Sequence, residues 1–457
     1  MVIRISDKTQ NYSKVTKLLV KPLILTIKED ALDRNADLNS FCHLLSNQNS
    51  MNSIALDGRW GSGKTFFVKQ CALLINAKNS LSNIDKDIAQ SILEATKQSN
   101  SFEGLTDNKL LAVYFDAWEN DSEEDPVLSL IYRIVQQLDL KTSGFDLQKL
   151  VHVLGTIADA ITDRPISNVI SSLKECDFLD VIRKHEDLET TIKAFFEEIL
   201  FEKAERLIVF VDELDRCRPS YAVKLLERIE HYFINDRITF VFSVNLEQLQ
   251  HTIKNFYGND FDACRYLDRF FDLRISLPQV NMEKYYYSLN LFDNWIVDVL
   301  KNIQKNFNLS LRELCKINDV VYEVCLKNSY TGIQDFMFKY IVTLCLALKI
   351  TDISLHNDFI NGKNDQPLLD LYDNEFGDSI CEMLLNNGEE LEDLISINGA
   401  RLGSDGKVTR EEKLEELYET IFIKNYTSYD YVTKLGEFGF TEDSRKFILD
   451  IESLLRL

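Results

Sequence analysis

A chain of 457 residues, 45% hydrophobic and 27% charged, can bury a large core in about two or three domains, which excludes wholesale disorder. Its 51 basic and 73 acidic side chains leave a formal charge of −22, so non-specific attraction to a nucleic-acid backbone is disfavoured and no strong nucleic-acid signal remains. Nine cysteines without a CxxC pair, beside only six histidines, argue against a zinc site and fit the reduced thiols of a cytoplasmic protein.

The opening "MVIRISDKTQ" is too polar for a secretory leader. From Asp30 to Asn47, Leu38, Phe41, Leu44 and Leu45 recur at helical spacing and predict a helix. "NSIALDG" predicts a short apolar strand, and "FFVKQCALLINA" after Thr65 a helix. The polar stretch from Lys78 to Asn108 predicts loops and one surface helix. "KLLAVYFDAW" is a strand rich in β-branched and aromatic residues. "DPVLSLIYRIVQQL" is a helix, with Asp125 near its start and Pro126 in its first turn. A mixed, inserted segment at about 141–205 is expected to be helical. In "AERLIVFVDELD" the unbroken apolar run Leu207 to Val211 predicts a strand buried on both faces, as in a parallel sheet. "PSYAVKLLERIEHYF" is an amphipathic helix with Ala222, Leu225, Leu226, Ile229 and Phe233 on one face. "RITFVFSVN" and "FFDLRISLP" supply a fourth and a fifth strand.

The alternation of strands and helices is the signature of an α/β fold. After Pro278 it gives way to helices, among them "VVYEVCLKNSYTGIQDFMFKYIVTLCLALKI". "TREEKLEELYETIF" opens with a capping box of Thr409 and Glu412 and lines up Leu414, Leu417 and Ile421. The loops "NGKNDQP" and "NGARLGSDGK" separate these helices. The expected organisation is an α/β domain over residues 1–280, carrying the helical insertion at about 141–205, and a helical C-terminal domain over 281–457. No apolar run reaches the roughly 18 residues of a membrane helix; "YIVTLCLALKI" reads as a buried one.

Gly58, Gly63, Lys64 and Thr65 fit the phosphate-binding pattern GxxxxGK[ST], placed between a strand and a helix as that motif requires. Glycines let successive amides curl inward around phosphate, and the following helix points its positive end at the same place. The expected nucleotide-binding residues are Gly58, Gly61, Ser62, Gly63, Lys64, Thr65 and Phe66. Lys64 would reach the β- and γ-phosphates, and Thr65 would give its hydroxyl to Mg2+. Trp60 within the loop is read as a packing residue.

Asp212 lies where the buried strand meets its loop, at the edge where open α/β sheets bind ligands, and can hold Mg2+. Glu213 is the candidate base for an attacking water; Asp followed by Glu is the pattern of a hydrolase rather than a small-molecule kinase. Asp215 and Arg216 form a local ion pair, or brace the site and a neighbouring subunit. Cys217 reads as a small packed residue. Asn245 positions the attacking water or contacts the γ-phosphate, or else caps a helix. Arg265 and Arg269, four apart on one helix face, offer a cation to the γ-phosphate, or else surface ion pairs with Asp262, Asp268 or Asp272.

"DGRWGSGKTFF", "YFDAWENDSEEDPVLSL", "FVDELDRCRPSYAVKLLERIEHYF", "VFSVNLEQLQHTI" and "YLDRFFDLRISLP", in this order, resemble the KAP family of P-loop NTPases, in the STAND-like branch of the additional-strand ATPases, from about Leu23 to Pro278. The resemblance implies ATP as ligand and a mostly parallel sheet of order 5-1-4-3-2 flanked by helices. It implies Asp212 as the magnesium carboxylate and Glu213 as the base. It puts Asn245 at a polar sensor position where aspartate is more usual, and Arg269 near the family's proposed arginine, with Arg265 in reserve. Asp116 and Trp118 match its second-strand signature. Many members carry membrane helices between the loop and the acidic strand. Here "VHVLGTIADAITDRPISNVISSLKEC" is broken by Asp159, Asp163, Arg164 and Pro165, so the chain looks like a soluble prokaryotic member. Such proteins are often linked to defence against phage.

The reading is a Mg2+-dependent ATPase that works as a conformational or assembly switch. Its helical C-terminal part would contact other protein subunits, including further copies of the chain. The rival readings are an ATP-loaded scaffold with little turnover, a nucleic-acid translocase and a small-molecule kinase.

Overall fold

The computed structural model describes residues 20–47, 51–99, 101–102, 110–122, 125–138, 188–233, 235–288, 294–327, 330–391, 407–424 and 432–454. By its internal contacts the chain divides into two compact units, Met1–Leu289 and Asn290–Leu457. Most of the expected inserted segment, including the interrupted apolar stretch around Asp159 to Pro165, lies outside the described residues.

The first unit is built on five strands: β1 (Ser53–Asp57), β2 (Leu110–Asp116), β3 (Arg206–Asp212), β4 (Ile238–Val244) and β5 (Leu273–Ser276). They form one parallel sheet in the order β2-β3-β4-β1-β5, the expected 5-1-4-3-2 arrangement. The apolar run of β3 explains its central place. Leu207, Val209 and Val211 enter the core on one face of the sheet, Ile208 and Phe210 the core on the other. Each fully buried side chain of this size is worth about 1.5–3 kcal/mol relative to exposure, which favours this strand in the interior of the sheet.

Helices cover both faces. The core that holds Val209 also receives α4 (Pro126–Gln137), α5 (Leu188–Lys203), α6 (Pro219–Tyr232) and α7 (Leu246–Tyr257). The opposite core receives α1 (Asn35–Asn47), α2 (Lys64–Lys78) and α3 (Lys86–Gln98). The short α8 (Ala263–Leu267) leads towards β5. In α6 the expected face of Ala222, Leu225, Leu226, Ile229 and Phe233 is buried.

Two local expectations need correction. The helix expected from Asp30 begins only at Asn35: residues 20–29 form a separate helix, and the chain turns at Asp30 and Asp33, with φ of 48° and 56°. The cause is side-chain competition for the backbone, since Asp30 Oδ1 accepts from Asn35 N at 3.1 Å. Arg265 and Arg269 do not share a helix face, because α8 stops at Leu267 and the chain turns so that Phe270 and Phe271 can be buried.

The second unit is mostly helical, with a two-strand parallel pair (Glu390–Leu391 with Lys407–Val408) and a hairpin (Thr433–Leu435 with Phe438–Phe440) that periodicity did not announce. The long helical stretch before Ile350 is interrupted at Gly332, whose φ of 58° and ψ of −130° suit glycine. It continues through a wide π-helical turn, Phe338–Val342, where Tyr372 Oη donates to Tyr340 O at 2.7 Å. The capping box of Thr409 and Glu412 is formed, and Leu414, Leu417 and Ile421 are buried. Among the described residues, no helix is long and apolar enough to cross a membrane.

Candidate functional site

The site lies at the carboxyl edge of the sheet, where register aligns residues from distant parts of the chain. Asp212 pairs with Asp116 on one side and Ser243 on the other, and Ser243 pairs with Leu56. Beyond Asp57 the backbone leaves β1 and curls before entering α2. Gly58 N donates to Val244 O at 3.1 Å, which ties the root of the loop to β4. Gly61 and Gly63 have φ of 77° and 91°, a region that side-chain-bearing residues avoid. The curl ends in the first turn of a 15-residue helix, whose unpaired amides favour an anion.

Lys64 folds back into this loop. Its Nζ donates to Gly58 O at 2.5 Å and Arg59 O at 3.2 Å. Burial pushes its ammonium below the usual lysine range, against the opposing pull of Asp215, Asp212, Glu213 and Asp57. A phosphate arriving here would meet a partly desolvated cation.

Asp212 is buried, and its two oxygens differ. Oδ2 accepts from Tyr114 Oη at 2.9 Å. Oδ1 has no hydrogen-bond partner among the described residues. Burial first, then the Asp212 charge, pushes the Tyr114 phenol well above its usual range, so it stays a donor. The buried hydroxyls of Ser62 and Ser243 likewise have no partner among the described residues. Thr65 Oγ1 lies 3.4 Å from Glu213 Oε1, a long contact that is easily given up.

This donor set fits a hard divalent cation shared with phosphate oxygens: one free carboxylate oxygen, one weakly held hydroxyl and a neighbouring cation for the phosphates. Among the described residues, no group of three or more His, Cys, Asp or Glu could hold a metal ion, so phosphate or water would have to complete the coordination.

Glu213 sits in a left-handed backbone conformation, with φ of 60° and ψ of 24°. The strained residue turns the chain sharply out of β3 into the short helix Leu214–Arg216. Glu213 and Arg216 form an ion pair, and the Arg216 guanidinium lies over the rings of both Trp60 and Trp118. Trp60 Nε1 donates to Asp215 Oδ2 at 2.6 Å, so Asp215 bonds the phosphate loop rather than Arg216. Cys217 is buried, and burial followed by nearby carboxylates pushes its thiol up, which suits a packed residue and not a nucleophile.

The geometry therefore brings Gly58, Gly61, Ser62, Gly63, Lys64 and Thr65 together with Asp212 and Glu213, while Phe66 is half-buried on the first turn of α2. Asn245 caps α7: its side chain accepts from Gln248 N at 3.3 Å, and the next amide, Leu246 N, donates to Asp57 Oδ1 at 2.9 Å. Arg265 and Arg269 are exposed, and Arg269 is followed by residues that bond the opposite end of β1. Phe270 O accepts from Ser53 Oγ, and Asp272 Oδ2 accepts from Asn52 N and Ser53 N, all at the start of β1. The five residues of β1 separate that end from the phosphate loop by about 16 Å. Arg269, next in the chain to Phe270, thus starts from the end of β1 away from the loop.

Three contributors escaped the sequence reading. Tyr114 lies two residues before Asp116 on the strand beside Asp212, a placement that needs the strand order. Ser243 needs the register. Arg34 is separated from the loop by 28 residues, yet its guanidinium donates to Ser62 O at 3.2 Å and also to Pro278 O. Burial lowers its pKa to about 10. Arg34→Leu leaves both carbonyls without their charged donor. A fall of about 5 °C in melting temperature is expected by calorimetry, with faster hydrogen exchange in the loop.

A family model described as the KAP family P-loop domain matches residues 34–324. A structure titled "Structure of the Aeropyrum Pernix ORC2 protein (ADPNP-ADP complexes)" matches at 12% identity and a TM-score of 0.34, covering 92% of this chain and 94% of that one. No curated protein matches the chain.

Proposed function

The chain belongs to the KAP family of P-loop NTPases, and from that premise we propose that it binds ATP with Mg2+ and hydrolyses it to drive a conformational or assembly switch. One observation carries the reading: the phosphate loop and the acidic strand end meet, with Thr65 Oγ1 3.4 Å from Glu213 Oε1. Lys64 and the loop amides hold the phosphates. Thr65 and the free oxygen of Asp212 would hold the cation, which would supply positive charge to offset that developing on the phosphoryl oxygens. Tyr114 keeps the other Asp212 oxygen occupied and the carboxylate oriented. Glu213 takes the proton of the attacking water. Asn245 caps α7 with its side chain, beside the Leu246 amide that donates to Asp57, and so helps to shape the water's position.

The test is calorimetric titration with ATP in the presence and absence of Mg2+, paired with steady-state phosphate release. Binding with turnover supports the reading. Binding without turnover leaves an ATP-loaded scaffold, and no binding overturns it. Stimulation of turnover by DNA or RNA would favour a translocase, and phosphate passed to an added acceptor a kinase.

Arg269 belongs to this mechanism as a cation donated to the nucleotide of a second copy. Arg269→Ala and Lys64→Ala chains should each be inactive alone. Mixed equally, they should recover about a quarter of the parental turnover, the share of interfaces joining an intact site to an intact arginine. No recovery would sink the role in trans. The scattered reduced-thiol pattern supports a cytoplasmic place and the family resemblance a prokaryotic anti-phage system; neighbouring genes that encode no effector would count against the latter.

A further inference from the structure

The ATPase reading leaves a stack at the rim of the site without a role. The Arg216 guanidinium lies 5.6 Å from the Trp60 ring centre and 5.6 Å from that of Trp118. It is ion-paired to Glu213, and Trp60 is bonded to Asp215. The five residues come from three separate segments: the phosphate loop, the turn after β2 and the turn after β3. Ala117 N, donating to Asp212 O at 2.9 Å, extends the β2–β3 ladder far enough to bring Trp118 there.

Trp60 and Trp118 remain 47% and 55% exposed, so burial is a poor reason for two large rings at this edge. Their geometry supplies a better one. A planar guanidinium attracted to two indoles loses most of its freedom, and the carboxylate paired with it loses its freedom as well. Glu213 is already held by a strained backbone at one end; Arg216 holds it at the other.

We propose that Arg216 is a positioning residue for Glu213, clamped by Trp60 and Trp118, and that it couples the phosphate loop to the base. This rests on the ATPase reading above. Because Trp60 belongs to the loop, a loop that shifts around a nucleotide moves one wall of the clamp. The shift then passes through Arg216 to the carboxylate and to Trp118. The stack thereby links an occupied loop to a correctly aimed base.

The experiment uses the full chain labelled with 5-fluorotryptophan. Its three tryptophans give three fluorine resonances, assigned by single Trp→Phe substitutions. In the parent, the Trp118 resonance should move when Mg2+ and ATP are added. Arg216→Met should shift the Trp60 and Trp118 resonances in nucleotide-free protein and abolish the Trp118 response. It should lower kcat about 10- to 100-fold, with KM for ATP within about threefold of the parent. Trp118→Leu should reproduce the kcat loss and serves if Arg216→Met does not fold; Trp118→Phe, which keeps a ring, should restore most of it. Arg216→Met that shifts neither resonance, or leaves kcat within about twofold while the parent turns over, overturns the proposal. So does a loss confined to KM. A parent spectrum indifferent to Mg2+ and ATP, in a chain that also fails to bind ATP by calorimetry, overturns the ATPase reading and the positioning role with it. The same indifference in a chain that binds and turns over ATP overturns the coupling alone.

Discussion

Glu213→Gln is expected to bind ATP and Mg2+ within a few-fold of the parent affinity and to release phosphate about 100 to 10,000 times more slowly. The amide keeps the shape of the side chain and an oxygen for the Thr65 hydroxyl, now at 3.4 Å from Oε1. It removes the ability to take a proton from water. It also removes one negative charge from a site that already holds Asp212, Asp215 and Asp57 around Lys64, so nucleotide affinity should hold or rise slightly. The left-handed backbone at position 213 treats Glu and Gln alike, which makes misfolding a weak alternative explanation. Glu213→Asp keeps the carboxylate but draws it back by one methylene, and an intermediate loss is expected. Single-turnover phosphate release on the pre-bound complex is the measurement. Parental turnover in Glu213→Gln would remove Glu213 from the role of base.

Much of this site was legible as one-dimensional pattern, and the reason is physical. The loop uses residues whose backbone freedom and charge are unusual, so Gly63-Lys64-Thr65 stands out without knowledge of neighbours. β3 announces itself because burial on both faces demands an unbroken apolar run, and its first carboxylates must then lie at the sheet edge. Cross-strand relations were harder to read. Nothing about Tyr114 or Ser243 as single residues says that one bonds Asp212 and the other stands in register with it; both depend on β2 and β4 flanking β3. Arg34 reaches the loop from a turn set by Asp30 and Asp33, whose left-handed backbone delays the helix expected from Asp30 until just before its first periodic residue, Leu38. The arginine pair was misplaced for the complementary reason. A spacing of four means one face only if the helix lasts, and burial of Phe270 and Phe271 ended α8 before Arg269. In the second unit, two-residue and three-residue strands are too short to impose a period at all.

Lys64→Ala is expected to weaken ATP binding by at least about 100-fold, beyond the range of a calorimetric titration at ordinary concentrations. Two effects add. The first is the loss of a charge-assisted donor to the phosphates, worth about 1.5–3 kcal/mol for each such bond. The second comes from the carboxylates that remain. Asp215, Asp212, Glu213 and Asp57 all act on the Lys64 ammonium, and without it the loop presents acidic groups to a polyanion. The fold should survive, because alanine suits the first turn of α2 better than lysine, and the carbonyls of Gly58 and Arg59 gain access to water in the space vacated. A parental melting temperature together with absent binding is thus the expected pair of results. Lys64→Arg separates the two effects: it keeps the charge near the carboxylates but brings a longer, planar head into a loop that encloses the ammonium, and it should recover only part of the affinity. If Lys64→Ala bound ATP within threefold of the parent, the phosphates would lie elsewhere, and the acidic strand end would need a different partner.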